Sequence, residues 1–425
     1  METGELLESL RRMSIEEVSF GDETVLLRLD INSPIKEGRI SNTDKLRAHY
    51  PTISRLVRDG AKVVIVSHQG RPNEGDFVSL AAHAKMMSEG MRIGVTFIPG
   101  NSGKEVKERI MQMRSGEVAV LENIRFNSEE TRKVDAAAHA ESGIVKDLSS
   151  VATAYVNDAF ASIHRNHASI VGFPLVLPSF IGLHMLQEVK AVSRLYESAS
   201  RPVLFIMGGG KVEDAINYIS DILKSDGTNR VAITGLIGTL FAVSNGVGVG
   251  ADTEALRERY PSVISQAREM LSKYSGRITL PMDFGVETSG GRKDFAASKV
   301  PGEAYALDIG KGTVDLIERE IAKANTVVMR GPAGVIERDG FDLGTLGIIQ
   351  AIARSRKFVI MAGGHTQRIV SKYGMGEQLN GHMSTGGGAV ISLITGRSLP
   401  AFDALLSSKR DSKTQSAAGR RVQRL

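Results

Sequence analysis

The chain contains no cysteine among its 425 residues. That absence excludes disulfides, thiolate metal sites and a cysteine nucleophile. No apolar run approaches the length of a membrane-spanning helix. The opening stretch METGELLESLRRMSIEEVSF carries acids throughout and lacks a secretory-signal core. A soluble, cytoplasmic protein is therefore expected. Two phosphate-binding signatures are also missing. No G-x-x-x-x-G-K-[ST] loop occurs, and the glycine run at Gly208 fails the G-x-G-x-x-G pattern because Glu213 stands at its last position. The nine histidines show no zinc-site spacing. Five of them (His49, His83, His139, His184 and His382) read as structural or exposed. No serine, histidine and acid arrangement suggests hydrolysis.

What is present is ordinary for a folded protein: 42% apolar and 24% charged residues, in a chain long enough for two domains. The formal net charge is +5. From Lys409 to Leu425 there are six basic residues and one acid, so this tail alone accounts for the excess. The body is close to neutral, and a nucleic-acid partner is not expected.

Short Val- and Ile-rich runs recur and read as buried parallel strands: 25–29, 62–66, 118–121, 154–156, 203–207, 231–234, 278–281, 326–329 and 358–361. Helical patterns between them, such as 212–224 and 314–323, make βαβ units. The expected fold is α/β: two Rossmann-like lobes, each a parallel sheet flanked by helices, joined by a hinge helix. Three prolines in VGFPLVLPSF mark the break. The boundaries expected are a first lobe over 1–178 with a returning segment at 390–408, a linker helix over 179–198, a second lobe over 199–389 and a basic tail over 409–425.

The loops after the strands are of two kinds. Those of the first half carry polar and cationic residues: Asp30-Ile31-Asn32, His68-Gln69-Gly70-Arg71, Arg125 and, further on, Arg165. Ligands of open parallel sheets bind beyond the carboxyl ends of the strands. Several Arg and His groups at that edge suit a small anion, because a guanidinium holds phosphate through two parallel hydrogen bonds. Asp30 and Asn32 could accept from hydroxyls or cap a turn. The second-half loops carry glycine: Gly208-Gly209-Gly210-Lys211, Gly331-Pro332-Ala333-Gly334 and Gly363-Gly364-His365-Thr366. Two of these open helices, whose free N–H groups bind phosphate. Glu337 could accept from ribose hydroxyls or be a solvated surface acid.

Taken in order, these segments resemble the phosphoglycerate kinase family. The carrying stretches are RLDINSP, SHQGRP, LENIRF, NDAFASIHRNHASIVG, GGGKV, LDIGKGT, GPAGVIE and STGGGA, spread from about residue 25 to 406. The style is similar to the archaeal branch. The resemblance implies reversible phosphoryl transfer between ATP and the carboxylate of 3-phosphoglycerate, giving ADP and 1,3-bisphosphoglycerate, with Mg2+ accompanying the nucleotide. It implies a monomer without a membrane partner. It assigns the acceptor to Asp30, Ile31, Asn32, Lys45, His68, Gln69, Gly70, Arg71, Arg125 and Arg165. It assigns the nucleotide to Lys211, Gly331, Glu337, Gly363, Gly364, His365 and Thr366, and the transition-state role to Lys45 and Lys211. Three positions depart from the family pattern. Lys45 stands where an arginine is usual, with Arg47 as the alternative cation. Ala215 replaces a second lysine. His365 replaces an aspartate that holds magnesium, so the protein's metal ligand is left open. A binding protein without turnover, or a nucleic-acid binder acting through the tail, are the alternative readings.

Overall fold

The computed structural model describes residues 3–37 and 39–408. The basic tail falls outside them. The chain forms two compact units. One contains the described residues up to Lys190 and those from Ser398 to Ser408; the other is Ala191–Arg397.

The first unit is built on six strands: β1 (Thr24–Arg28), β2 (Lys62–Val66), β3 (Val95–Ile98), β4 (Val118–Leu121), β5 (Ala154–Asn157) and β6 (Ser179–Ile181). They pair in the order β3-β4-β2-β1-β5-β6, and every pairing is parallel. Apolar side chains on both faces of β1 and β2 are fully buried, as a parallel sheet covered on both sides demands. Helices α1 (Asp44–Ala48) and α2 (Tyr50–Arg58) follow β1.

The expected linker helix over 179–198 needs correction. Ser179–Ile181 is the edge strand β6, and helix α3 covers only Leu183–Ser193, with 3-10 turns after it. The cause is burial. Phe180 packs edge-on against Phe20, with ring centroids 5.2 Å apart, while its backbone extends the sheet from β5. The returning segment is also shorter than expected: residues 390–397 lie in the second unit.

The second unit holds β7 (Val203–Met207), helix α4 (Val212–Ser225), β8 (Arg230–Ile233), helix α5 (Gly235–Ser244), β9 (Ile278–Thr279), β10 (Asp283–Thr288), β11 (Gly291–Ala296), β12 (Tyr305–Ile309), helix α6 (Lys311–Lys323), β13 (Thr326–Arg330), helix α7 (Leu343–Ser355), β14 (Phe358–Ala362), helix α8 (Gly364–Lys372), β15 (Gly381–Ser384) and helix α9 (Gly388–Ile394). Its main sheet runs β9-β8-β7-β13-β14-β15, all parallel. Strands β10 to β12 form a separate antiparallel sheet in the order β11-β10-β12. The purely parallel expectation missed it because β11 is largely exposed and has no apolar run.

Candidate active site

In the first unit the candidate side chains gather at the carboxyl ends of β1, β2 and β5. Arg28, the last residue of β1, is fully buried. Its guanidinium donates to Ser169 Oγ at 2.8 Å and to the Leu29 carbonyl, and lies 3.1 Å from His68 Nδ1. His68 Nε2 is 3.2 Å from Arg165 Nη1. Burial, reinforced by Arg28, Arg125 and Arg165, lowers the His68 pKa well below its usual value despite Asp30 nearby. A neutral imidazole accepts at one nitrogen only, so it satisfies one of the two flanking guanidiniums. The other remains available for an anion.

Asp30 follows two residues after Arg28. Burial alone would raise its pKa, but Lys45, His68, Arg28 and Arg165 together hold it far below the carboxylate range. Lys45, on α1, places Nζ 3.5 Å from Asp30 Oδ1 and remains about one-third exposed. Arg47 points to solvent on the same helix, and its charge acts on Tyr50. Arg125 is buried and donates to the Gly70 carbonyl, while its Nε has no partner among the described residues. Burial, with Arg165 and Arg28 next, brings its pKa down to about 10. The result is a desolvated cluster in which guanidiniums outnumber carboxylates, an environment that favours a bound anion.

Not every sequence-predicted side chain joins this cluster. Ile31 and Gln69 are fully buried. Ile31 packs in the core. Gln69 braces the loop by accepting from Ser33 N at 2.9 Å and donating to the Ser33 carbonyl at 3.0 Å. Asn32 Oδ1 accepts from Gly70 N at 3.1 Å. Gly70 itself has φ +65°, and a Cβ there would collide with the Asp76 carbonyl. Arg71 is 70% exposed, and its ion pair among the described residues is with Glu74, at 4.0 Å. Arg28 was not singled out from sequence. The signal for it is a charged residue closing an otherwise apolar strand, TVLLR.

The second unit contains a cavity of about 360 Å³. The glycine loops after β7, β8 and β13 form one wall and interlock: a Cβ on Gly331, at φ +81°, would collide with the Gly208 carbonyl. Leu236 and Thr239 from α5, Leu256, Phe284 of β10 and Ala306–Ile309 of β12 supply a second, mostly apolar wall that includes Asp308. Glu337 and His365 line the cavity; Lys211, Gly331, Gly363, Gly364 and Thr366 are not among its lining residues. Lys211 is the exposed N-cap of α4. Thr366 is buried in the first turn of α8, and its hydroxyl has no partner among the described residues. The wall from β10 and β12 escaped sequence reading because it comes from the separate antiparallel sheet. Beneath it, Arg292 donates to Asp308 Oδ2 at 2.6 Å, yet burial pushes the Asp308 carboxyl up to about 6.

His365 Nε2 lies 3.6 Å from Glu337 Oε1, and Arg368 is equally close to that carboxylate. Among the described residues no group of three or more metal-ligating side chains occurs. Magnesium prefers several oxygen ligands in octahedral array, and an imidazole beside a single ion-paired carboxylate does not provide it. These donors do not fit a protein-held magnesium ion.

A family model described as phosphoglycerate kinase matches residues 15–397. The phosphoglycerate kinase of Methanopyrus kandleri is 36% identical over 93% of this chain and 97% of its own length. That of Pyrococcus horikoshii is 36% identical over 92% and 96%. A crystal structure of the Pyrococcus horikoshii kinase superposes with a TM-score of 0.87 at 35% identity, covering 93% of this chain and 98% of that one. The structure of the Coxiella burnetii kinase gives 0.75 at 28% identity, over 92% and 98%.

Proposed function

The chain belongs to the phosphoglycerate kinase family, and on that premise we propose that its first unit holds 3-phosphoglycerate and its second the adenine nucleotide. The reaction is phosphoryl transfer between ATP and the 3-phosphoglycerate carboxylate. The observation that carries the division is chemical: one sheet edge is lined by desolvated cationic side chains, the other by glycine backbone over an apolar cavity. A small, doubly anionic acid suits the first; a nucleotide with a flat base and a polyphosphate suits the second.

The acceptor carboxylate is ionised at neutral pH, so no general base is required. What the chain must supply is position and charge. Arg165, Arg125 and Arg71 pair with the acceptor phosphate, and neutral His68 adds a hydrogen-bond donor. Asp30 and Asn32 orient the acceptor loop, with Ile31, Gln69 and Gly70 shaping it from beneath. Lys45 and Lys211 offset the charge that develops on the moving phosphoryl group. Glu337 accepts from the ribose, and the start of α8, Gly363 to Thr366, offers N–H groups to phosphate. Magnesium, held by no described side chain of this chain, would accompany the nucleotide and supply counter-charge to its phosphates. A monomer in the cytoplasm completes the reading. No described helix is long and apolar enough to cross a membrane.

The test is a coupled assay for 3-phosphoglycerate-dependent consumption of ATP. Turnover that needs both substrates is expected. Nucleotide binding without turnover would overturn the reading in favour of a binding protein.

A further inference from the structure

Strand β13 ends on a second arginine, in the sequence TVVMR. Arg330 is half-buried, and among the described residues its side chain has no ion pair and no hydrogen bond, only the charge influence of Tyr218 and Asp214. Its guanidinium instead lies over the ring of Tyr218 on α4, 5.0 Å from the centroid. Arg397 sits over the same ring at 5.4 Å, but Arg397 is paired with Asp221. Two cations thus share one aromatic ring, and among the described residues only Arg397 has a carboxylate partner.

The position of Arg330 is fixed by the glycine loops. Its carbonyl accepts from Gly208 N at 2.8 Å, and the next residue is Gly331. In the sheet it sits beside Met207 and Ala362, the last residues of β7 and β14. The Gly208 loop follows β7 and the Gly363 loop follows β14. The Tyr218 hydroxyl in turn presses on Gly388 at the head of α9, where a Cβ would collide with it. Burial lowers the Arg330 pKa, partly offset by Tyr218 and Asp214. Desolvating a cation without pairing it costs stability, so such groups persist where a ligand supplies the missing charge. Stacking on the ring holds the guanidinium plane while leaving its N–H edges free to donate.

We propose that Arg330 is a nucleotide-phosphate contact, a planar fork held against Tyr218 among the glycine loops and paired by the polyphosphate of ATP or ADP. The inference rests on the assignment of the nucleotide to this unit. It adds a cation beyond Lys211, from a strand end rather than a helix start.

The experiment compares the full chain with Arg330→Gln and Arg330→Lys. Calorimetry measures adenosine, ADP and ATP binding; steady-state kinetics measures KM for each substrate. Charge-assisted hydrogen bonds of this kind place the expected weakening of ATP and ADP binding at roughly ten- to a hundredfold in Arg330→Gln. Adenosine affinity and the KM for 3-phosphoglycerate should not move, and Arg330→Lys should fall between Gln and wild type. Removing an unpaired cation should leave the melting temperature of the nucleotide-free protein unchanged or raised. Unchanged ATP affinity in Arg330→Gln, or an equal loss for adenosine and ATP, would overturn the proposal and leave Arg330 a packing residue of Tyr218. Wild-type protein that binds no ATP would instead remove the nucleotide assignment itself.

Discussion

The Lys45 ammonium stands 3.5 Å from the Asp30 carboxylate, and the two residues come from different elements that meet at one strand end. Asp30 is buried while Lys45 is partly open to solvent, so the ion pair can exchange partners when an anion arrives. Arg47, two positions along the same helix, is exposed and takes no part in that pair. Lys45→Met should lower kcat by about a hundredfold, the usual effect of removing one transition-state donor. Arg47→Met should leave kcat within about twofold. A reversed ranking in steady-state assays would move the catalytic charge to Arg47.

Gly331 tolerates no side chain, since its φ of +81° and its contact with the Gly208 carbonyl both exclude a Cβ. Left-handed backbone costs an alanine about 1–2 kcal/mol before any displacement. Gly331→Ala should therefore raise the KM for ATP at least tenfold with little change for 3-phosphoglycerate. Gly302→Ala, where a Cβ meets open space and φ is ordinary, serves as the control. Equal behaviour of the two variants would show that the interlocked loops do not shape the nucleotide site.

Stability should fall with acid well before the carboxylates titrate. His83 is buried, with Nε2 3.2 Å from Gln69 Oε1, and burial lowers its pKa from 6.5 to about 4. His68 shifts in the same direction. A folded-state pKa below the unfolded one means that the unfolded chain binds more protons below pH 6.5. The contribution is complete above that pH and disappears as pH falls toward 4, amounting to ~3 kcal/mol for His83. Urea unfolding at several pH values should show this slope, reduced by about one proton in His83→Gln. Parallel curves for the two proteins would contradict it.

Deleting residues 409–425 should leave kcat and both KM values near wild type. The +5 charge of the chain resides there, whereas the site side chains described above all lie between residues 28 and 397. Loss of turnover on deletion would show that the tail contributes to catalysis.

Much of this was legible because buried parallel strands leave a plain trace. Val203–Met207 and Lys62–Val66 are apolar on both faces, end abruptly and lead directly into the candidate loops. The antiparallel β10–β12 sheet left no such trace, since β11 is largely exposed and β10 and β12 mix polar residues with buried ones. Ser179–Ile181 is too short to separate from the helix behind it. Within the loops, sequence identifies the chemical type but not the direction of a side chain. Gln69 and Arg71 lie two residues apart, yet one is buried beneath the loop and the other projects into solvent. Arg28 and Arg330 both close an apolar strand, a readable pattern, but only the folded structure reveals that Arg28 donates to Ser169 and the Leu29 carbonyl whereas Arg330 lies over the Tyr218 ring.

The contact of Gly208 with Gly331, and of Gly235 with Gly209, joins three loops through bare backbone. Such loops cannot be edited one at a time: a side chain added at Gly208, Gly235 or Gly331 displaces a neighbouring loop's main chain. If the cavity takes the nucleotide as proposed, redesign of its preference starts from the other lining residues. There Leu256, Phe284 and Ala306 present replaceable side chains to the cavity, on elements outside the glycine loops. The cavity thus has one side of interlocked backbone that resists change and one side of exchangeable side chains.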